Sequence, residues 1–192
     1  MTSGEKSDTK PRRAGPGNRF DLALLGTLHP RIRADDWRSP LIRRLLRCAD
    51  YAERVSAVEL SFRGPNGSVS RSQLVLFWSG LRSDFEKCIN TYQEPVLTEH
   101  AALGLACVAV HKRARLEITE ITRRGERADY WLGNREFVIE VSGQQQGDLG
   151  ALFEDKAEQL LSNPHGKSGY VFVVNFARSE SRLWFCDETG QE

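Results

Sequence analysis

The segment Glu136-Phe-Val-Ile-Glu-Val-Ser142 constrains the fold of this 192-residue chain more than any other stretch. In an extended strand, Phe137, Ile139 and Val141 point to one face, and Val138, Glu140 and Ser142 to the other. Both faces carry large apolar groups, so the strand belongs inside a sheet covered on both sides. Glu140 is then a carboxylate in a buried sheet. An unpaired charge there is costly, so a cation, a metal ion or a proton must stand beside it. A purely structural ion pair would meet that need as well as a functional one.

The surrounding pattern supplies the rest of the architecture. Residues 1–18 are rich in Gly, Pro, Ser, Lys and Arg, and they predict a flexible tail. Order is expected from Arg19-Phe20 onward, where Phe20, Leu22, Leu24 and Leu25 appear. Ser39-Pro40 reads as a helix start, with Ser as cap and Pro in the first turn. Leu41, Leu45, Cys48 and Ala52 follow at helical spacing, and Arg43, Arg44 and Arg47 off that line read as its solvated face, with phosphate contact as the lesser alternative. Val58, Leu60 and Phe62, then Leu74, Leu76 and Trp78, alternate about a Gly64-Pro65-Asn66-Gly67 turn, which predicts a β-hairpin. A helix is expected over 82–92, with Phe85, Cys88, Ile89 and Tyr92. Pro95 should interrupt, and Thr98 should cap a helix from Glu99 to Lys112.

From there the pattern predicts strands at 116–122, 128–132 and 136–142, a helix at 149–162, and strands at 170–176 and 182–186. The order α-β-β-β-α-β-β implies an α/β fold, a mixed central β-sheet flanked by helices. The expected division is a tail (1–18), an N-terminal helix and β-hairpin extension (19–97) and a core (98–192).

Charge excludes a strongly cationic coat protein, since 27 Lys and Arg face 26 Asp and Glu. The distribution is uneven. Residues 1–70 hold 13 basic and 8 acidic side chains, and the remainder 14 and 18. The four cysteines form no C-x-x-C pair and lie near no histidine at metal-ligand spacing, so they read as reduced, packed thiols. No apolar run is long enough for a membrane span and the N-terminus lacks a signal-like apolar region, so a cytoplasmic protein is expected. No phosphate-binding glycine loop or nucleophile elbow is present. His29, His100, His111 and His165 are scattered, with His165 in a turn.

Three further side chains share the misplacement of Glu140. Asp129 precedes it by 11 residues across a hairpin turn at Leu132-Gly133-Asn134-Arg135, a spacing that brings both carboxylates to one end of an antiparallel pair. Two such groups suit a hard divalent ion, Mg²⁺ or Mn²⁺. On the helix from Leu149, Lys156 falls within about 20° of Leu149 on the apolar stripe. It either snorkels outward or reaches toward acid, and Gln159 on the stripe's flank favours a polar pocket. Glu99 begins the apolar face of its helix, where it either answers the helix dipole or joins the acids.

Asp129, then Glu140-Val-Ser142, then Lys156 and Gln159 on the following helix, resemble the PD-(D/E)XK nuclease superfamily over residues 98–186. The resemblance implies a restriction-endonuclease-like core and metal-dependent phosphodiester hydrolysis, in defence against phage or in repair. It implies Asp129, Glu140 and Glu99 as metal ligands and Lys156 as the catalytic cation that orients water. Gln159 and Ser142 would support them by hydrogen bonding. Arg123, Arg124 and Arg127 would form a basic rim for nucleic acid, DNA ahead of RNA. Two departures stand out. Position 142 is Ser where the family pattern has Lys, so Lys156 reads as its displaced counterpart, and Ala128 stands where Pro is usual. The other implied role is a catalytically silent subunit that binds nucleic acid or partner proteins in a larger assembly. There is little room for a separate target-reading domain, so either the N-terminal hairpin and helix supply one, or a partner does within a multiprotein complex, or the chain forms a homodimer through them.

Overall fold

The computed structural model describes residues 18–46, 54–78 and 82–187. The expected tail lies almost wholly outside them, as do Arg47, Cys48 and Ala52. The fold is α/β, with a mixed eight-stranded sheet flanked by helices. Its strands are β1 (Arg19–Asp21), β2 (Val55–Arg63), β3 (Val69–Phe77), β4 (Ile118–Ile121), β5 (Tyr130–Leu132), β6 (Phe137–Gln144), β7 (Gly169–Asn175) and β8 (Glu180–Cys186). They lie in the order β1-β3-β2-β8-β7-β6-β5-β4. The helices are α1 (Leu25–Leu28), α2 (Arg38–Leu45), α3 (Arg82–Thr91), α4 (Glu94–Ala109) and α5 (Leu149–Leu161). No helix among the described residues is long and apolar enough to cross a membrane.

The hairpin forms where alternation requires it, with β2 and β3 antiparallel from Val55↔Phe77 to Arg63↔Val69. It does not stand apart from the remaining strands. β2 pairs in parallel with β8 from Glu59↔Glu180 to Arg63↔Trp184, so one sheet runs through the chain. β6 is an interior strand, parallel to β7 and antiparallel to β5. Every residue of β7 is buried, as expected for a strand covered on both faces.

One core lies between the sheet and the helices α1, α2 and α4, and includes Leu41, Leu105, Val108, Ile139, Phe172 and Leu183. The other lies under α5, where Leu149, Phe153, Ala157 and Leu160 meet Val138, Val171 and Val173. Each large side chain fully buried this way contributes about 1.5–3 kcal/mol. Asp148 caps α5, accepting from the Ala151 N–H at 2.8 Å.

Three local expectations are corrected. α2 follows a 3₁₀ turn at Ala34–Trp37 and has no side-chain cap; Ser39 lies inside it. Pro95 opens α4 instead of interrupting, since its missing N–H falls in the first turn, where that donor has no intrahelical partner. Thr98 is therefore internal and buried, its hydroxyl donating to the Glu94 carbonyl at 2.8 Å. Arg44 is wholly buried rather than solvated. Its Nη2 donates to the Glu94 carbonyl and to Thr98 Oγ1, both at 2.7 Å, and pairs with Glu94 Oε2 at 2.6 Å. Its Nε and Nη1 face the Gln145 amide oxygen, each at 3.0 Å.

Two details place the site strand. His29 is buried, accepting the Ile118 N–H on Nδ1 (2.9 Å), so Nε2 carries the proton donated to the Cys107 carbonyl (3.0 Å). This ties β4 to α4 through a neutral ring, whose pKa burial lowers. Gly143 lets β6 touch α4: a Cβ there would stand 2.9 Å from Ala102 Cβ and 3.0 Å from the Thr98 carbonyl. Gly143→Ala is expected to cost about 1–3 kcal/mol by overpacking, seen as a lower urea midpoint with an unchanged slope.

Candidate active site

Glu140 lies on the α5 face of β6, with Val138 packed under α5 on the same side. Its side chain is 1% exposed. One carboxylate oxygen, Oε1, accepts from Lys156 Nζ at 2.6 Å. The other, Oε2, is buried without a hydrogen-bond partner. Lys156 sits on the inner flank of α5 and therefore reaches inward to the acid. Its side chain keeps 24% exposure. Gln159, one turn on, accepts from the same Nζ at 3.0 Å.

Asp129 stands one residue ahead of β5 and continues the pairing of Tyr130 with Ile139, so it lies alongside Glu140. Its N–H donates to the Ile139 carbonyl at 2.9 Å. Its Oδ2 accepts from the Val141 N–H at 2.8 Å. The expected meeting of carboxylates thus follows from the register of one antiparallel pair. Ser142, two residues beyond Glu140 on the same face, is half-buried.

The electrostatics are those of crowded acids. Burial first, then the charge of Asp129, raises the Glu140 pKa to about 7, against the pull of Lys156. Burial raises Asp129 as well, opposed by the Val141 N–H and Lys156 and aided by Glu99. Two carboxylates crowd one ammonium, and the buried, unpartnered Oε2 is the atom that a proton or a cation would serve. The donor set of Asp129 and Glu140 fits a hard divalent ion.

Glu99 does not begin a buried face. α4 starts earlier and buries Leu97, Thr98, Ala101 and Ala102, leaving Glu99 exposed. It acts on Asp129 through its charge. Among the described residues, no three His, Cys, Asp or Glu side chains converge as a metal-binding group, so Glu99, Asp129 and Glu140 do not form one.

Arg123, Arg124 and Arg127 are exposed on the β4–β5 loop, whose neck is closed by the Thr122 N–H donating to the Asp129 carbonyl at 3.0 Å. Arg127 is not free in solvent. Its Nη1 donates to Ser162 Oγ at 2.9 Å, and that hydroxyl donates to the Gln159 carbonyl at 2.9 Å. Glu126 and His165 pair across the same seam, at 3.0 Å. Sequence reading missed this seam and the Arg44 network, because neither joins residues at a recognisable spacing. Comparison of the chain with protein-family models, curated proteins and solved structures finds no match.

Proposed function

We propose that this chain is a metal-dependent nuclease that hydrolyses phosphodiester bonds of nucleic acid, with a PD-(D/E)XK-type site. The observation that carries the reading is Lys156 reaching under α5 to one oxygen of Glu140, while the other oxygen is buried and partnerless beside Asp129. A lysine on the following helix occupies the role that Ser142 cannot fill. The proposed setting is the cytoplasm, with DNA preferred to RNA, as a homodimer or within a larger complex, in defence or repair.

In this mechanism Asp129 and Glu140 hold Mg²⁺ or Mn²⁺, which when bound lowers the pKa of water and stabilises charge on the phosphate. The Val141 N–H fixes the Asp129 carboxylate, so the free Oδ1 is presented in one orientation. Lys156, steadied by Gln159, orients the attacking water and offsets negative charge developing on the phosphate oxygens. Glu99 adds negative potential at the rim, which favours cation entry.

A second reading has its own support. Lys156 and Glu140 already satisfy each other in part, and Glu99 stands apart, as in a silent subunit whose acids serve as a structural ion pair. Cleavage of single- and double-stranded DNA and RNA with Mg²⁺ or Mn²⁺ separates the two. The wild type is expected to cleave, and Asp129→Ala and Glu140→Ala to fall to background. Equal activity in all three would sink the site assignment, and no cleavage of any substrate would favour the silent subunit.

A further inference from the structure

The β4–β5 loop offers its arginines unequally. Arg123 and Arg124 are exposed, next to Gly125 at φ +93°, where the chain turns back. Arg127 differs twice over. Its backbone is left-handed, at φ +52°, a conformation that disfavours a residue with a Cβ. Its guanidinium is engaged by Ser162 at the end of α5. The seam has a second fastening, since Glu126 Oε1 meets His165 Nε2 at 3.0 Å and Glu126 Oε2 accepts from the Arg123 N–H at 2.6 Å. One carboxylate thus holds the loop to the turn after α5 and shapes its tip. His165 is itself backed by Trp131, the two rings 5.1 Å apart.

These fastenings join the two elements that carry the site. The loop's neck is Asp129, and the far side of the seam is the end of the helix that carries Lys156 and Gln159. A loop held only at its neck would pay the entropy of ordering on every binding event, whereas one fastened at both sides holds its tip at a set reach from Asp129.

We propose that this loop receives the nucleic-acid backbone through Arg123 and Arg124, and that Arg127, Glu126 and His165 are positioning residues that clamp it to the end of α5. The partner's chemistry rests on the nuclease reading, while the division of labour among the arginines rests on the seam. Phosphate contact by free guanidinium groups is sequence-independent and releases counterions, so it leaves a signature in salt dependence. A clamp leaves none.

The test is binding of a short fluorescein-labelled DNA duplex by anisotropy, in EDTA so that no cleavage intervenes, at increasing KCl. Arg123→Ala with Arg124→Ala is expected to lower the slope of log affinity against log salt by about 2. Arg127→Gln, Ser162→Ala and His165→Ala are expected to weaken binding by about 3- to 10-fold with the slope unchanged. Arg127→Gln combined with Ser162→Ala should be no weaker than either alone, because both break one contact. Thermal unfolding of each variant checks that the fold is retained. An unchanged slope in the Arg123 and Arg124 variant, or no duplex binding by the wild type, overturns the loop as the receiving surface. A slope lowered by about 1 in Arg127→Gln makes that residue a phosphate contact and overturns the clamp. Cleavage with Mn²⁺, measured in parallel, reports on the nuclease reading separately: binding through the loop without cleavage upholds this inference and removes the enzyme.

Discussion

Glu140→Gln is expected to lower metal-dependent cleavage by on the order of 10²–10³-fold or more while making the metal-free protein more stable above neutral pH. The two effects have one origin. The carboxylate is needed where positive charge is to be held, and it is costly where none is present. Its folded pKa, about 7, lies above the ordinary value of 4.5. A raised carboxylate pKa means that the folded state prefers the protonated form. The stabilisation is therefore complete below about pH 4.5 and is lost as pH rises through about 7. The loss amounts to roughly 2–4 kcal/mol across that window. Glutamine copies the protonated acid and still accepts from Lys156, so the variant should not show this loss. The measurement is urea unfolding of both proteins in EDTA from pH 4 to 8, read as the difference between them, since groups remote from Glu140, such as His29, titrate equally in each. A flat difference would mean that Glu140 stays fully compensated by Lys156. Repeating the series with Mn²⁺ should reverse the ordering at high pH, because an ion bound by Glu140 stabilises the wild type alone.

Arg44→Ala carries the second large effect, an expected loss of about 2–5 kcal/mol, set by the cavity and the stripped hydrogen bonds because Glu94 itself is largely exposed. The guanidinium is wholly buried and joins α2 to the first turn of α4 and to Gln145, just beyond β6. Removal opens a cavity and strips partners from Glu94 and Gln145 together. Arg44→Lys should recover little, since one ammonium cannot reproduce a fork that engages Thr98 and Gln145 from different edges. Thermal unfolding of both variants tests this, and a loss below about 1 kcal/mol in Arg44→Ala would show that the network is dispensable.

Much of the fold was legible because periodicity is a local signal. The hairpin, the strand around Glu140 and the helix bearing Lys156 all lie where alternation or helical spacing requires, and the meeting of Lys156 with Glu140 follows from one wheel and one strand face. The boundaries that failed depend on backbone donors. Pro95 reads as a breaker unless the preceding turn is known to begin a helix, and that in turn made Thr98 look like a cap and Glu99 like the start of a buried face. Arg44 failed for another reason: its partners at Glu94, Thr98 and Gln145 are distant in sequence, and nothing in its own surroundings distinguishes a buried guanidinium from Arg43 beside it. The seam at Arg127 is equally silent, being built from a hydroxyl, a loop carboxylate and a turn histidine.

The parallel pairing of β2 with β8 bears on how the molecule can be cut apart. A fragment starting at α4 would keep every proposed catalytic group, yet it would leave the main chain of Glu59's former partner strand bare from Glu180 to Trp184. Exposed ladders of that kind recruit other chains. The hairpin thus serves as a solubility cap for the part that carries the proposed site, and dissection of this protein into independent pieces runs against its hydrogen bonding.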